Sequence, residues 1–555
     1  FFRVMLSRVG PTIFLAIASV CWSPTATAET PRRTDHGDLI LLDLYGSYRE
    51  MGAQAADLLG EDVRRVLKLN LDFYEHAQAG GIGAWFFDRV ALPLVANFMT
   101  DDTGVSEEAA GYAETLGISR ADFLRALIGT DASGGSTVFA ATRSATADGD
   151  ALIGRNVDWI DFGGLLKPTV VRYHPDNGDF DHISAGWPLL QIPTVGLNEK
   201  GLAFSLNYFD TDPQIEPTSM SYPYRRVLQR ASNVDEAIAL FRADFPITIP
   251  CFGTLADAHG DIALLECTTS ECEVFRPDGD WFAHSNHARS ATMIPRDQFR
   301  GSDSFDRRRL MEAAVHPHLG HLDAGRAADV LRNRDGHPHP NASVVANLFV
   351  LNAAIVEPAR GVLWHSDLIQ PHASFGRYIP IAIDAGIELP APIPASSALA
   401  TDAHTRETRA ISMVRAARNA RHIAGDLEHS IALWQAVFAE PPLPLDPAEL
   451  AIGWADTLLE AGRGEQAAAV LDRWVGSDAN WDQQIYATLL LGVCADAAGD
   501  RDGARAKYAA TIALIDERPE FTAYDSLRKL ATRGRDSPLP AGEFELSLCA
   551  TSVPP

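Results

Sequence analysis

The chain has 555 residues, 46% hydrophobic and 22% charged, a globular composition with room for two or three domains. Its 47 Lys and Arg against 73 Asp and Glu leave a net charge of −26, a field that repels nucleic acid and anionic membrane surfaces and leaves small-molecule chemistry as the better fit.

Arg3 and Arg8 precede the apolar run from Thr12 to Trp22, and Ala26-Thr27-Ala28 supplies small residues for a signal peptidase. The pattern predicts a secretory signal over residues 1–28 and a periplasmic or secreted mature protein. No later stretch reaches the roughly 20 apolar residues of a membrane span. Cys21 falls within the signal, which leaves Cys251, Cys267, Cys272, Cys494 and Cys549. That odd number rules out complete pairing within the chain, although export permits a bridge such as Cys267 with Cys272. No CxxC occurs, so a cysteine metal site is unsupported.

From Asp38 to Tyr45, D-L-I-L-L-D-L-Y reads as a strand, and G-S-Y-R-E-M-G then opens a helical stretch toward Tyr74. Helical patterns resume from Val105 to Leu127, so residues 29–135 are expected to be mostly helical. Next come Gly134-Gly135-Ser136-Thr137-Val138-Phe139, a turn at Ala147-Asp148-Gly149, and the strand end Gly154-Arg155-Asn156-Val157-Asp158-Trp159. This is a hairpin with a serine at its start. Period-two alternation sends Asn156 and Asp158 to one face and Arg155 to the other face or the rim. A cation, an amide and a carboxylate at one strand end are poorly explained by packing.

Short alternating strands follow: T-V-V-R-Y, I-S-A-G, T-V-G-L-N-E-K-G-L-A-F-S-L-N-Y-F, G-T-L-A-D, I-A-L-L-E-C and E-V-F-R-P, with one amphipathic helix from about Asn233 to Phe245. A further hairpin lies between Asn347 and His365. The order predicts stacked antiparallel sheets with covering helices. A Pro, Ala and Ser rich linker over 391–405 leads to helices over 406–535 and a tail over 536–555. There, two helix pairs superimpose with Ala467 on Ala504, 37 residues apart, and Leu471 on Tyr508. The pattern resembles tetratricopeptide (TPR) repeats, a surface of the kind on which partner proteins dock. Two or three units are few for a free-standing array, so they are expected to pack on the domain before them.

The hairpin resembles the nucleophile hairpin of the N-terminal-nucleophile (Ntn) hydrolases. Within them it is similar to the acyl-CoA:isopenicillin N acyltransferase-like group (peptidase family C45), relatives of penicillin V acylase and bile salt hydrolase. That group carries G-C-[ST]-x-F, T-x-D-G and G-R-N-x-D-W, where this chain reads G-S-T-V-F, T-A-D-G and G-R-N-V-D-W. The family cysteine is Ser136 here. G-S-x-x-E-M-G is shared as well. The resemblance implies an α+β fold, a four-layer αββα sandwich over residues 136–390, with residues 29–135 as a pro-segment or α-chain. It implies autoproteolysis between Gly135 and Ser136, and acyl transfer from a small N-acyl amide or peptide-like substrate, to water or an amine, through an acyl-Ser136 intermediate with no cofactor.

Matching motifs carry over the other roles. Arg155 and Asp158 keep the family's three-residue spacing, with Asp158 holding the α-amino group and Arg155 polarising the site. Asn207, after N-E-K-G-L, is the oxyanion-hole amide; Asn286 in H-S-N-H is the second asparagine; and Arg307 in S-x-x-R is a later arginine, with Arg308 and Arg309 beside it.

The chemistry is consistent from the residues upward. A serine hydroxyl is a weak nucleophile that needs a base within reach. Cutting before Ser136 would free an α-amino group with an ordinary pKa of about 7.7–8.0, able to serve as that base. Paired glycines would permit the distorted backbone that an N-to-O acyl shift needs. His316, His318 and His321, and His337 and His339, are interrupted by prolines and lack the H-E-x-x-H pattern, which argues against a metal. Three other readings stay open: an ester or phospholipid acyl hydrolase on the same fold, a degenerate binding protein, and a serine hydrolase using a distant histidine. The aromatic supply (Trp85, Phe86, Trp159, Trp187, Tyr208, Phe209) is compatible with an apolar acyl chain.

Overall fold

The computed structural model describes residues 30–77, 104–119, 122–123, 135–159, 166–188, 193–211, 223–244, 247, 250–298, 300–334, 341–369, 372–422, 424–439, 443–476 and 479–540. The signal region, Trp85, Phe86, Gly134, His337, His339 and Cys549 lie outside the described residues, as do the ends of the Val105–Leu127 helical reading and of the tail.

Two sheets form the centre. The larger has the order β1 (Arg32–His36), β2 (Leu39–Gly46), β5 (Thr169–Pro175), β6 (His182–Gly186), β7 (Val195–Asn198), β8 (Leu202–Tyr208), β9 (Cys251–Asp257), β10 (Ile262–Cys267) and β11 (Cys272–Phe275). It is antiparallel except where β2 runs parallel to β5, Ile40 opposite Thr169. The second sheet has the order β12 (Trp281–His284), β3 (Gly135–Ala141), β4 (Leu152–Asp158), β13 (Val350–Glu357), β14 (Val362–Ser366) and β15 (Tyr378–Ala382), all antiparallel. Val138, Ala140 and Ile153 of one sheet meet Phe252, Leu264 and Ile183 of the other in a shared core.

Helices cover both outer faces. On the larger sheet lie α1 (Tyr48–Leu59), α2 (Glu61–Ala77) and α3 (Val105–Leu116), beside α4 (Pro223–Arg230) and α5 (Val234–Ala243). On the smaller lie α6 (Ser302–Val315) and α7 (Ala324–Leu331). These are the stacked sheets with covering helices expected from the strand pattern, in the αββα layering that the resemblance implies. Residues 29–135 do more than supply helices, because β1 and β2 are built into the larger sheet.

The G-S-Y-R-E-M-G run has a local cause. Ser47 caps α1 by a reciprocal box, its backbone N–H donating to Glu50 Oε2 at 2.9 Å and its hydroxyl accepting from the Glu50 N–H. Gly52 sits where α1 crosses α3, and a Cβ there would lie 2.1 Å from the Glu108 carbonyl oxygen. Only glycine lets the helices come that close. The same crossing brings Glu108 to Arg225 of α4, a fully buried ion pair. Tyr173 donates to Glu108 at 2.9 Å, and the Arg225 guanidinium lies 4.5 Å from the Tyr48 ring centre.

The C-terminal helices are α8 (Asp402–His422), α9 (Leu427–Phe438), α10 (Pro447–Glu460), α11 (Gly464–Trp474), α12 (Trp481–Ala497), α13 (Arg501–Asp516) and α14 (Asp525–Asp536). They share a core of their own, in which Ala467, Leu471, Ala504 and Tyr508 are all buried. Small residues at the two repeat positions let α11 and α13 approach their neighbours. Among the described residues, no helix is long and apolar enough to cross a membrane. Cys267 and Cys272 are bridged across the β10–β11 hairpin, while Cys251, opposite Cys267 on β9, is a free buried thiol.

The Glu108–Arg225 pair joins the segment before Ser136 to the segment after it. Glu108→Ala strands a buried guanidinium and should cost about 3–5 kcal/mol of stability, read from urea unfolding. The double change Glu108→Leu with Arg225→Met should recover a large part of that loss.

Candidate active site

The register of β3 on β4 sets the site. Ser136 pairs with Val157 and Val138 with Arg155, so Ser136 and Arg155 share the face turned toward the other sheet. Gly135 pairs with Asp158 and Thr137 with Asn156, so those side chains project to the α6 side. The alternation read from the sequence is therefore realised, with Arg155 inside.

Each polar atom of Ser136 has its own partner. Its backbone N–H donates to Asn286 Oδ1 at 2.7 Å. Its Oγ accepts from Arg155 Nη2 at 3.0 Å. Its carbonyl oxygen accepts from Arg307 Nη1 at 2.8 Å and from the Ser285 hydroxyl at 3.2 Å. Ser136 is only 2% exposed.

Arg155 is held by the carbonyls of Thr194 and Leu206, which aim its guanidinium at the serine. Burial pulls its pKa down to about 9, against the opposing effect of Asp158. Arg307 reaches in from α6 and donates also to Thr137 Oγ1 at 3.1 Å, Asp158 Oδ2 at 3.2 Å and Asn286 Oδ1 at 3.2 Å. Asp303, one turn earlier, binds it at 3.1 Å. Its neighbours face elsewhere: Arg308 donates to Glu312 at 2.9 Å and Arg309 is exposed. Of the three consecutive arginines, Arg307 alone enters the site.

Asn286 is fixed on both sides, its backbone N–H donating to Ser304 Oγ and its Nδ2 to the Tyr208 carbonyl, each at 2.8 Å. Asn207 stands one residue removed. Its Nδ2 donates to the Ser285 carbonyl at 2.9 Å, while its Oδ1 is buried without a partner. In the uncut chain the partner of the Ser136 nitrogen is thus Asn286. Asp158 lies against Gly135, where a Cβ would fall 3.1 Å from Asp158 Oδ2 and 3.3 Å from Arg307 Nη2. A side chain at position 135 would crowd the ion pair.

All six predicted side chains converge, together with Gly135. Residues given no role from the sequence complete the site: Ser285, Asp303, Thr137 at the [ST] position of the first motif and Ser304 at the serine of S-x-x-R. Asp303 had a signal, since an acid four residues before an arginine on a helix is a paired spacing. Trp159 and Trp187 are neighbours at 5.7 Å, and Phe209 stacks on Phe252 at 4.2 Å. His316 and His318 bound a short 3-10 turn after α6, away from Ser136.

A two-sheet sandwich between helices, with Ser136 at the start of a central strand and its nitrogen and hydroxyl held by separate partners, is the arrangement that the resemblance to the Ntn hydrolases implies. More particularly, the model of the acyl-coenzyme A:6-aminopenicillanic acid acyl-transferase family matches residues 145–365, which contain Arg155, Asp158, Asn207, Asn286 and Arg307 and begin just after Ser136. Solved structures similar to the chain include an N-acylethanolamine-hydrolyzing acid amidase ortholog from Caenorhabditis elegans (16% identity, 40% of this chain and 93% of that one, TM-score 0.31). They also include a mutant conjugated bile acid hydrolase from Clostridium perfringens (13%, 46% and 93%, 0.32) and penicillin V acylase from Agrobacterium tumefaciens (13%, 45% and 94%, 0.29). No curated protein matches the sequence.

Burial pushes the Asp158 carboxyl up to about 6, with Arg307 pulling the other way. The folded value lies above the ordinary one of 3.8. Its contribution to stability is therefore full below about pH 4 and lost as pH rises through 6. Relative to Asp158→Asn, the wild type should lose roughly 2–3 kcal/mol between pH 4 and pH 7 in paired urea titrations.

Proposed function

We propose that the protein is an exported, self-processed Ntn hydrolase or acyltransferase that acts on amide bonds through an acyl-Ser136 intermediate. The observation that carries this reading is the separate anchoring of the three polar atoms of Ser136, nitrogen on Asn286, hydroxyl on Arg155 and carbonyl on Arg307.

In the precursor, Ser136 Oγ attacks the Gly135 carbonyl carbon. The C–N bond breaks, the Ser136 nitrogen takes a proton, and an ester joins Gly135 to the serine oxygen. Water cleaves the ester, leaving a Gly135 carboxylate and a free Ser136 amine. That amine, near its ordinary pKa of about 7.7–8.0, is then a base adjacent to its own hydroxyl. Arg155 sits where a histidine would be needed in a conventional serine hydrolase, which favours the α-amino base. Asn286 Oδ1 receives the amine, and Arg307 and Ser285 keep the strand from shifting.

With substrate, Ser136 Oγ attacks an N-acyl carbonyl, the amine leaves with the proton, and water or a second amine takes the acyl group. The second N–H of the Asn207 amide is the donor we assign to the developing oxyanion, a contact typically worth about 3–4 kcal/mol of barrier. Export follows from the Arg3, Arg8 and Ala26-Thr27-Ala28 pattern, and the helix pairs after residue 406 are read as TPR-like.

The test is the intact mass and N-terminal sequence of the purified protein, followed by matched amide and ester substrates of small N-acyl compounds. Two pieces are expected, the larger beginning Ser-Thr-Val-Phe, with amide cleavage. Ser136→Ala should remain one chain and lose hydrolysis by at least about 1,000-fold. A single uncut wild-type chain with Ser136-independent turnover would reject the reading, and preference for esters would move it to an acyl-ester hydrolase.

A further inference from the structure

The helices after residue 402 lie outside the family match, yet they touch the site's support directly. Gly301 stands at the N-cap of helix α6 and has no side chain to cap it. The hydroxyl of Ser302, in its first turn, donates instead to Asp482 of α12, and lies 3.3 Å from the Tyr524 hydroxyl. A carboxylate from another part of the fold thus supplies the negative charge that a helix N-terminus favours.

Asp482 stands on a rigid base. Its helix is closed by a reciprocal cap between Asn480 and Gln483. Trp481 packs against Tyr524 at 4.8 Å and donates to the Leu514 carbonyl at 3.0 Å. A second contact runs alongside: Phe521 meets Phe305 at 5.2 Å, and Phe305 stacks on His287 at 3.8 Å. His287 Nδ1 is 2.8 Å from the same Ser304 hydroxyl that receives the Asn286 N–H. Thr522 also donates to the Asp297 carbonyl at 3.2 Å, just before α6. Every residue of α6 that reaches the site, Asp303, Ser304 and Arg307, lies within about two turns of this docking point.

We infer that Asp482 and Tyr524 are positioning residues for the reaction at Ser136, acting through the Ser302 hydroxyl on the first turns of α6, from which Arg307 and Ser304 hold the nucleophile and Asn286. This rests on the function proposed above. Catalytic geometry tolerates displacements well under 1 Å, so a helix held at its first turn by another domain sets the rate through that contact. Around α6 the carboxyls of Asp158 and Asp303 are buried and Asp482 is half-buried, which makes the arrangement stiff, since none can move to solvent without unpairing its partner.

The experiment uses the full chain. Asp482→Leu and Ser302→Ala remove the contact from its two sides, Asp482→Asn keeps an oxygen that can accept from Ser302, and Tyr508→Phe removes a bond to Asp496 within the helical part alone. For each, the first-order appearance of the fragment beginning at Ser136 is followed, with kcat and KM for an N-acyl amide and hydrogen exchange across residues 302–307. Asp482→Leu and Ser302→Ala should slow fragment release and kcat by about tenfold, leave KM within about twofold and speed exchange in the first turn of α6. Asp482→Asn should stay within about threefold of wild type, and Tyr508→Phe should change neither rate. Wild-type rates in both Ser302→Ala and Asp482→Leu would overturn the inference while leaving Ser136 as nucleophile. A wild-type chain that is neither cut nor dependent on Ser136 would remove the proposed function, and this inference with it.

Discussion

One guanidinium joins most of the parts that must not move. Arg307 bonds the carbonyl of Ser136, the hydroxyl of Thr137, the carboxylates of Asp158 and Asp303, and the amide of Asn286. Those groups come from β3, β4, the segment after β12 and α6 itself. A guanidinium can do this because its donors lie in one plane with fixed spacing; an ammonium has three donors that rotate about a single bond. Two carboxylates beside it offset its charge, and burial makes the set cooperative, since removing any partner leaves another unpaired in a medium that solvates it poorly.

The hairpin divides labour between its faces. On the inner face Arg155 touches the hydroxyl that would react; on the outer face Asp158 and Arg307 clamp the backbone on either side of the Gly135–Ser136 bond. Strand pairing keeps the two sets apart, because a shift of one residue would exchange them. The segment before the serine is equally committed, since β2 is a strand of the larger sheet and Glu108 is buried against Arg225.

Much of this was legible in the chain. Period-two alternation gave the strands around Ser136, and the glycine, serine and acid of G-S-Y-R-E-M-G are explained by a cap and a helix crossing. The faces of β4 were separable by alternation, but which face was inward was not, because every residue of the strand is buried and polarity no longer marks the outside. Arg307 could be singled out from Arg308 and Arg309 only weakly, as three adjacent residues on a helix point in three directions and only the fold says which meets the strand. The contact between Ser302 and Asp482 spans 180 residues and joins two parts of different pattern, so no local periodicity encodes it. The same holds for β2: the run from Asp38 to Tyr45 reads as a strand, yet its parallel partner β5 lies beyond a whole hairpin.

The bridge between Cys267 and Cys272 closes a loop of sequence separation five. So short a loop constrains the unfolded chain little, about 2 kcal/mol on the loop-entropy view. Its consequence lies at the margin of the sheet. β11 is the outermost strand, half-exposed along its whole length, and if it peeled away the row of backbone donors and acceptors on β10 would be open to strands from other molecules. The covalent link makes that edge unable to fray far, so the bridge acts less on how firmly one molecule folds than on whether many of them stay apart.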